Sequence, residues 1–351
     1  MKNILKGYIE LTDKQKEVIW DNCIFVFDTN ILLNLYRYPN KISRLLLTSM
    51  RDLQDKIWLP YNVVEEFIKN RQNIIISKNN DINRMDKVSG DYIEEWCKLL
   101  KLNIDDTEIK DISLNISNWI EKIKKEYIID SSNDTILEEL VRLFDEKVGV
   151  QYSEEELIDI KKIAEQRYKK EIPPGFKDTN KKKNENDNNM YGDYIIWRQI
   201  LDYSKVNSCN IIFITQDNKE DWWNRVSGKT LGPRYELRKE FNDVSNMEFH
   251  MYSMEKFLKI HKNIGENVIS EIKRMELEEK YNIQVGHMDL SDGYTVWQVE
   301  EGLKELMEKK EQLFQYDIMQ LDEKGYDEMR NLRDEIKKSQ EFLEYWGIWF
   351  N

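Results

Sequence analysis

Residues 24–30 read Ile24-Phe25-Val26-Phe27-Asp28-Thr29-Asn30, four apolar residues followed at once by an acid and two short polar side chains. A gapless apolar run reads as a strand buried on both faces, which points to a parallel sheet. An acid at the carboxyl end of such a strand sits where open α/β sheets bind ligands. Asp28 also suits the N-cap of a helix over Ile31–Tyr36, and this stretch alone leaves both roles open.

Working outward, a second run, Ile211-Ile212-Phe213-Ile214-Thr215, repeats the pattern and ends in Gln216-Asp217. Ile57-Trp58-Leu59 reads as a short strand, and Pro60 turns the chain into a helix over Tyr61–Ile76 that carries Glu65 and Glu66 near its start. Gly192-Asp193 opens another helix, with Ile195, Ile196, Ile200 and Leu201 on its apolar positions. Glu248–Tyr252 supplies a last strand, and Leu11-Thr12-Asp13 offers a cap to a helix in the lead-in. Alternating strands and helices predict an α/β fold with a doubly wound parallel sheet.

The pattern changes between about 80 and 170. Ile93, Trp96 and Leu100, then Ile116, Ile120, Ile123 and Tyr127, then Ile136, Leu140 and Leu143 recur at helical spacing, with no strand signal. These residues are expected to form an inserted helical subdomain, stopped by Pro173-Pro174-Gly175. Lys177–Asn189 is polar and partly basic, which reads as a loop. After 262 the chain is helical and charged, with apolar stripes at Val299, Leu303, Leu306 and Leu313 and at Met329, Leu332, Ile336 and Leu343. The expected organisation is one α/β domain from 1–79 and 171–262, a helical insertion at 80–170, and a C-terminal helical region at 263–351. That last region is expected to mediate association, with a second copy or with a partner protein.

Composition narrows the chemistry. The 351 residues are 40% hydrophobic and 34% charged, with a formal net charge of -13. Such a balance argues against a protein that coats duplex through a basic field, yet suits a metal site built from acids. The three cysteines, Cys23, Cys97 and Cys209, show no disulfide framework or zinc spacing, so a reducing cytosol is expected. No stretch approaches signal-peptide or membrane-span character. Of the three histidines, His250, His261 and His287, none makes a metal pair or a nucleophile motif. Carboxylates with a metal are the expected tools.

In a parallel sheet the carboxyl ends of strands and the amino ends of the following helices share one edge. Asp28, Glu66, Asp193 and Asp217 can therefore converge although they are far apart in sequence. Packed acids repel and push one another toward protonation, a conflict that Mg²⁺ or Mn²⁺, with their preference for oxygen, removes. Such an ion can activate a water and stabilise the leaving oxygen of a phosphodiester. Each acid also has a plainer reading, as a helix-start or turn-capping residue. Asp221 is either a fifth ligand or a loop anchor, and Trp222 and Trp223 either stack nucleobases or pack in the core.

Several motifs then carry a resemblance. VFDTNILL, LPYNVVEEFIKNR, PPGFKD with GDYIIWRQIL, and IIFITQDNKEDWW with GPRYEL resemble the PIN-like nuclease family, in its large bacterial branch with a long insertion. The resemblance spans roughly 22–260 and implies a PIN fold with three or four acids holding Mg²⁺ or Mn²⁺. It also implies phosphodiester hydrolysis, most often in RNA, and many such relatives act as toxins or in phage defence. Carried over by motif, the acids are Asp28, Glu66, Asp193 and Asp217, with Asp221 as an addition. Substrate is expected to meet Asn30, Lys181, Lys182, Arg198 and Lys219. Lys181, Lys182 and Lys183 lie in a dense basic run, with a merely solvated loop as the alternative. A haloacid-dehalogenase phosphatase is disfavoured because Asn30 stands where that chemistry needs a second Asp. A Rossmann domain is disfavoured because no G-x-G-x-x-G follows Phe27. The remaining alternatives are a DNA-directed nuclease and a catalytically silent module that binds RNA or protein.

Overall fold

The apolar run opens the central sheet. The computed structural model describes residues 7–177, 188–217, 219–226 and 229–280. Strand β1 (Cys23–Phe27) is followed by α2 (Thr29–Arg37) and α3 (Asn40–Asp52), and it is preceded by α1 (Asp13–Asp21). Thr12 caps α1 in a reciprocal capping box with Gln15, as the Leu11-Thr12-Asp13 signal leads one to expect. Strands β2 (Ile57–Trp58), β3 (Asn210–Ile214) and β6 (Phe249–Tyr252) join β1 in one sheet, in the order β2-β1-β3-β6. All three pairings are parallel. Phe25, Val26 and Phe27 face Ile212, Phe213 and Ile214, and all six are buried. The chain is thus α/β with a parallel sheet flanked by helices, as its sequence predicts.

Register decides where the acids go. Phe27 pairs with Ile214, so β1 and β3 end side by side. One residue further on, the Asp28 amide donates to the Ile214 carbonyl (2.9 Å). Asp28 therefore leaves the sheet beside Thr215, two residues before Asp217.

Helix α4 (Tyr61–Leu100) runs 40 residues without a break, so the domain boundary expected at 79/80 falls inside it. It packs along α5 (Thr107–Tyr127), and α6 (Thr135–Phe144) and α7 (Glu154–Lys169) follow. A buried polar knot ties these helices to the sheet domain. Asp134 caps α6 through two backbone amides, accepts Tyr36 Oη (2.8 Å) from α2, and pairs with the Arg71 guanidinium of α4 (Nε at 2.7 Å). The described residues up to Ile272 form one compact unit. That unit includes the helices of the insertion.

Past a cis Pro173–Pro174 bond, α8 (Gly192–Asn207) leads into β3. An antiparallel hairpin, β4 (Trp223–Val226) and β5 (Lys229–Pro233), separates β3 from α9 (Tyr235–Ser245). After β6 come α10 (Met254–Lys262) and α11 (Glu266–Lys280). The expected stripes after residue 299 lie outside the described residues, and with them most of the expected C-terminal region. Among the described residues no helix is long and apolar enough to cross a membrane.

Candidate active site

Asp28 is the N-cap of α2, its Oδ1 accepting the Thr29 amide at 2.7 Å. Capping uses only one of its two oxygens. Oδ2 accepts the Thr215 hydroxyl (2.6 Å) and Asn30 Nδ2 (2.7 Å). Thr215 Oγ1 also takes the Asp217 amide at 2.9 Å, so one hydroxyl joins the acid after β1 to the acid after β3. Asn30 is occupied at both ends of its amide, because its Oδ1 accepts the Gln216 amide (3.1 Å). Through these contacts Asn30 holds Asp28 and the β3 end in register.

Glu66 reaches the same edge from the second turn of α4. Its Oε2 accepts the Thr29 hydroxyl at 3.0 Å. A Cβ built on Gly192 would lie 2.6 Å from Glu66 Oε1, so the glycine at the start of α8 leaves room for this carboxylate. Gly175 leaves room for Asp193 in turn. It adopts φ +89, and an added Cβ would meet Tyr168 Oη at 2.3 Å and Asp193 Cβ at 3.1 Å.

Asp193, in the first turn of α8, accepts Trp222 Nε1 (3.2 Å) and lies 3.4 Å from Lys219 Nζ. The same ammonium sits 2.8 Å from Asp217 Oδ2. Lys219 thus bridges two of the four acids. An open chain of contacts results, from Glu66 through Thr29 to Asp28, on to Thr215 and Asp217, and through Lys219 to Asp193. The four acids of the sequence reading are brought to one edge by β1, β3, α4 and α8.

The other residues singled out by sequence go elsewhere. Asp221 is fully buried, and its Oδ2 anchors the loop after Pro174 by accepting the Gly175 and Lys177 amides (3.0 and 3.1 Å). Its Oδ1 has no partner among the described residues. Arg198 is paired with Asp202 on its own helix (2.9 Å), which also accepts the Tyr152 hydroxyl. Trp222 and Trp223 are buried, which favours the packing role over base stacking. Lys181 and Lys182 lie outside the described residues. Thr29, Thr215 and Gly192 were not picked out by sequence, although Thr215 stands two residues before Asp217 and Gly192 directly precedes Asp193.

Electrostatics at this edge are uneven. Burial pushes the Asp28 pKa up to about 7, with the charges of Asp217 and Glu66 adding and the Thr215 hydroxyl opposing. Burial also raises Glu66. At the other end of the edge, the one Lys219 ammonium is shared between Asp193 and Asp217. Among the described residues no group of three or more Asp, Glu, His or Cys side chains is arranged so that it could hold a metal ion. The donors at this edge are carboxylate oxygens, the type a hard divalent ion takes, with the Lys219 ammonium between two of them.

Neither curated proteins nor solved structures give a match to this chain. A family model described as a PIN like domain matches residues 24–237, which include all four converging acids and the insertion. With well over half of its length matched, the chain belongs to the PIN-like domain family.

Proposed function

We propose that this chain is a metal-dependent nuclease, acting as an endoribonuclease on single-stranded RNA. PIN-like domains are usually nucleases and typically use divalent metals. The observation that carries the reading here is the convergence of Asp28, Glu66, Asp193 and Asp217 on one edge, with a positive charge already seated between Asp193 and Asp217. These four carboxylates would hold Mg²⁺ or Mn²⁺. The bound ion supplies an activated water and charge stabilisation of the leaving oxygen.

The chain's own groups set up that chemistry. Thr29, Asn30 and Thr215 fix the Asp28 and Glu66 oxygens before any substrate arrives. Lys219 lies at the acids, and once they are held by a metal its ammonium is placed to take a phosphate oxygen of the substrate. The basic run with Lys181 and Lys182 would give the net-negative chain its local contact with RNA. A role in phage defence or as a toxin is consistent with this activity.

Labelled single- and double-stranded RNA and DNA, incubated with Mg²⁺, Mn²⁺ or EDTA, test the reading. Single-stranded RNA should be cut only with metal. Asp217→Asn and Asp28→Asn should each lose more than the roughly 10–100-fold typical of removing an outer partner of a metal ligand. Wild-type rates in both variants at saturating metal would show that the acids are not the site. Metal-dependent cutting of DNA alone would move the substrate from RNA to DNA.

A further inference from the structure

Lys219 holds Asp217 twice. Its backbone amide donates to Asp217 Oδ1 (2.9 Å), and its ammonium lies 2.8 Å from Oδ2. The same ammonium sits 3.4 Å from Asp193 Oδ2, the oxygen that also accepts Trp222 Nε1 (3.2 Å). The backbone around Lys219 is fixed by contacts that do not involve its side chain. The Lys219 carbonyl accepts the amides of Trp222 and Trp223 (3.2 and 3.3 Å). The Asp217 carbonyl accepts Trp223 Nε1 (2.5 Å), and both tryptophans are buried. The lysine side chain itself reaches water, with 29% of its surface exposed.

Two carboxylates that share one ammonium still carry net negative charge, and the two acids still repel. A lysine ammonium is a compact point charge on a flexible four-carbon stem. It can therefore leave its partners while the backbone that carries it stays in place. A divalent ion offers the same acids twice the charge and direct bonds to oxygen. Ammonium and divalent ion would thus compete for Asp193 and Asp217. A lysine that only staples the strand end to α8 makes a different prediction: its loss should weaken stability and metal binding together. Competition gives the two effects opposite signs.

We infer that Lys219 is a resident counter-cation of the acid edge. Without a divalent ion it holds Asp193 and Asp217 together, and a divalent ion binds there only by displacing it. This role rests on the nuclease reading of the edge and adds a control to it, because the ion pair must break before metal is taken up. Lys219 is in this sense a positioning residue, acting through the two acids.

Binding of Mn²⁺ alone to the full-length protein, followed by the EPR signal of the free ion without nucleic acid, reads the competition apart from activity. The edge site is the binding that Asp217→Asn removes. Lys219→Met keeps much of the side-chain length and removes the charge. It should bind Mn²⁺ at the edge at least about fivefold tighter than wild type, from loss of one unit charge at contact distance. The same variant should melt below wild type in EDTA, where the two acids have lost their cation. Lys219→Arg retains the charge and should behave as wild type in both measurements. If Lys219→Met does not fold in EDTA, Lys219→Gln, which keeps a donor for Asp217, carries the same test. Unchanged or weaker Mn²⁺ binding in the charge-free variant, at a site that Asp217→Asn still removes, would overturn the counter-cation role and leave the nuclease reading standing. If Asp217→Asn removes no Mn²⁺ from the wild-type protein, the nuclease reading fails and this role fails with it.

Discussion

Gly192 gives the acid edge a test at the scale of one methyl group. The atom that an added Cβ would strike is the end of the Glu66 side chain rather than backbone. Gly192→Ala should therefore displace the carboxylate and leave the fold in place. Metal-dependent cleavage should drop at least about tenfold, by analogy with loss of a ligand-orienting contact, while a thermal melt in EDTA moves little. A melt lowered as much as activity would mean that the glycine serves packing alone. Asp28 makes a second prediction, on pH. Its folded-state pKa is raised from 3.8 to about 7, chiefly by burial, so the folded protein holds this proton more tightly than the unfolded chain does. Stability without metal should thus fall as pH rises between those two values and level off above the higher one. Melts in EDTA between about pH 5 and pH 8 should show this decline in wild type and a flatter profile in Asp28→Asn. An equal slope in both would assign the pH dependence to other groups. The candidate acids were legible in sequence because each ends an apolar strand or starts a helix. What sequence could not show is how unequal they are. Lys219 pairs with both Asp193 and Asp217, whereas burial raises the pKa of Asp28 and of Glu66. That difference depends on where one lysine side chain turns, which spacing does not encode.

At the scale of elements, β1 and β3 were readable because a strand buried on both faces must be apolar throughout. The β4–β5 hairpin was not. Trp223–Val226 and Lys229–Pro233 mix charge, Gly and Pro, and the pairing carries an irregularity between Asn224 and Arg225. The length of α4 was missed for a related reason. Its 40 residues extend about 60 Å at the helical rise of 1.5 Å per residue. Its buried face lapses toward the far end, where Leu99 and Leu100 are exposed, so the apolar period reads like the start of a new unit. What fixes the insertion is instead the buried knot of Tyr36, Arg71 and Asp134. Asp134→Ala removes the α6 cap and strands the Arg71 charge in the interior. The expected loss is about 3 kcal/mol or more in chemical denaturation. A loss under about 1 kcal/mol would mean that the knot contributes no more than an ordinary surface pair.

At the scale of the whole molecule, a chain of net charge -13 concentrates acids where a polyanion would have to be cut, which is workable only if a cation stands between them. The proposal turns on whether four elements, separated by the long insertion, present one metal site. The most direct measurement is an anomalous difference map from crystals of the full chain soaked in Mn²⁺. The expected result is a peak bounded by the carboxylates of Asp28, Glu66, Asp193 and Asp217, with the Lys219 ammonium moved off Asp193 and Asp217. No peak at that edge, at a Mn²⁺ concentration that supports full cleavage of RNA, or a peak on other residues, would contradict it.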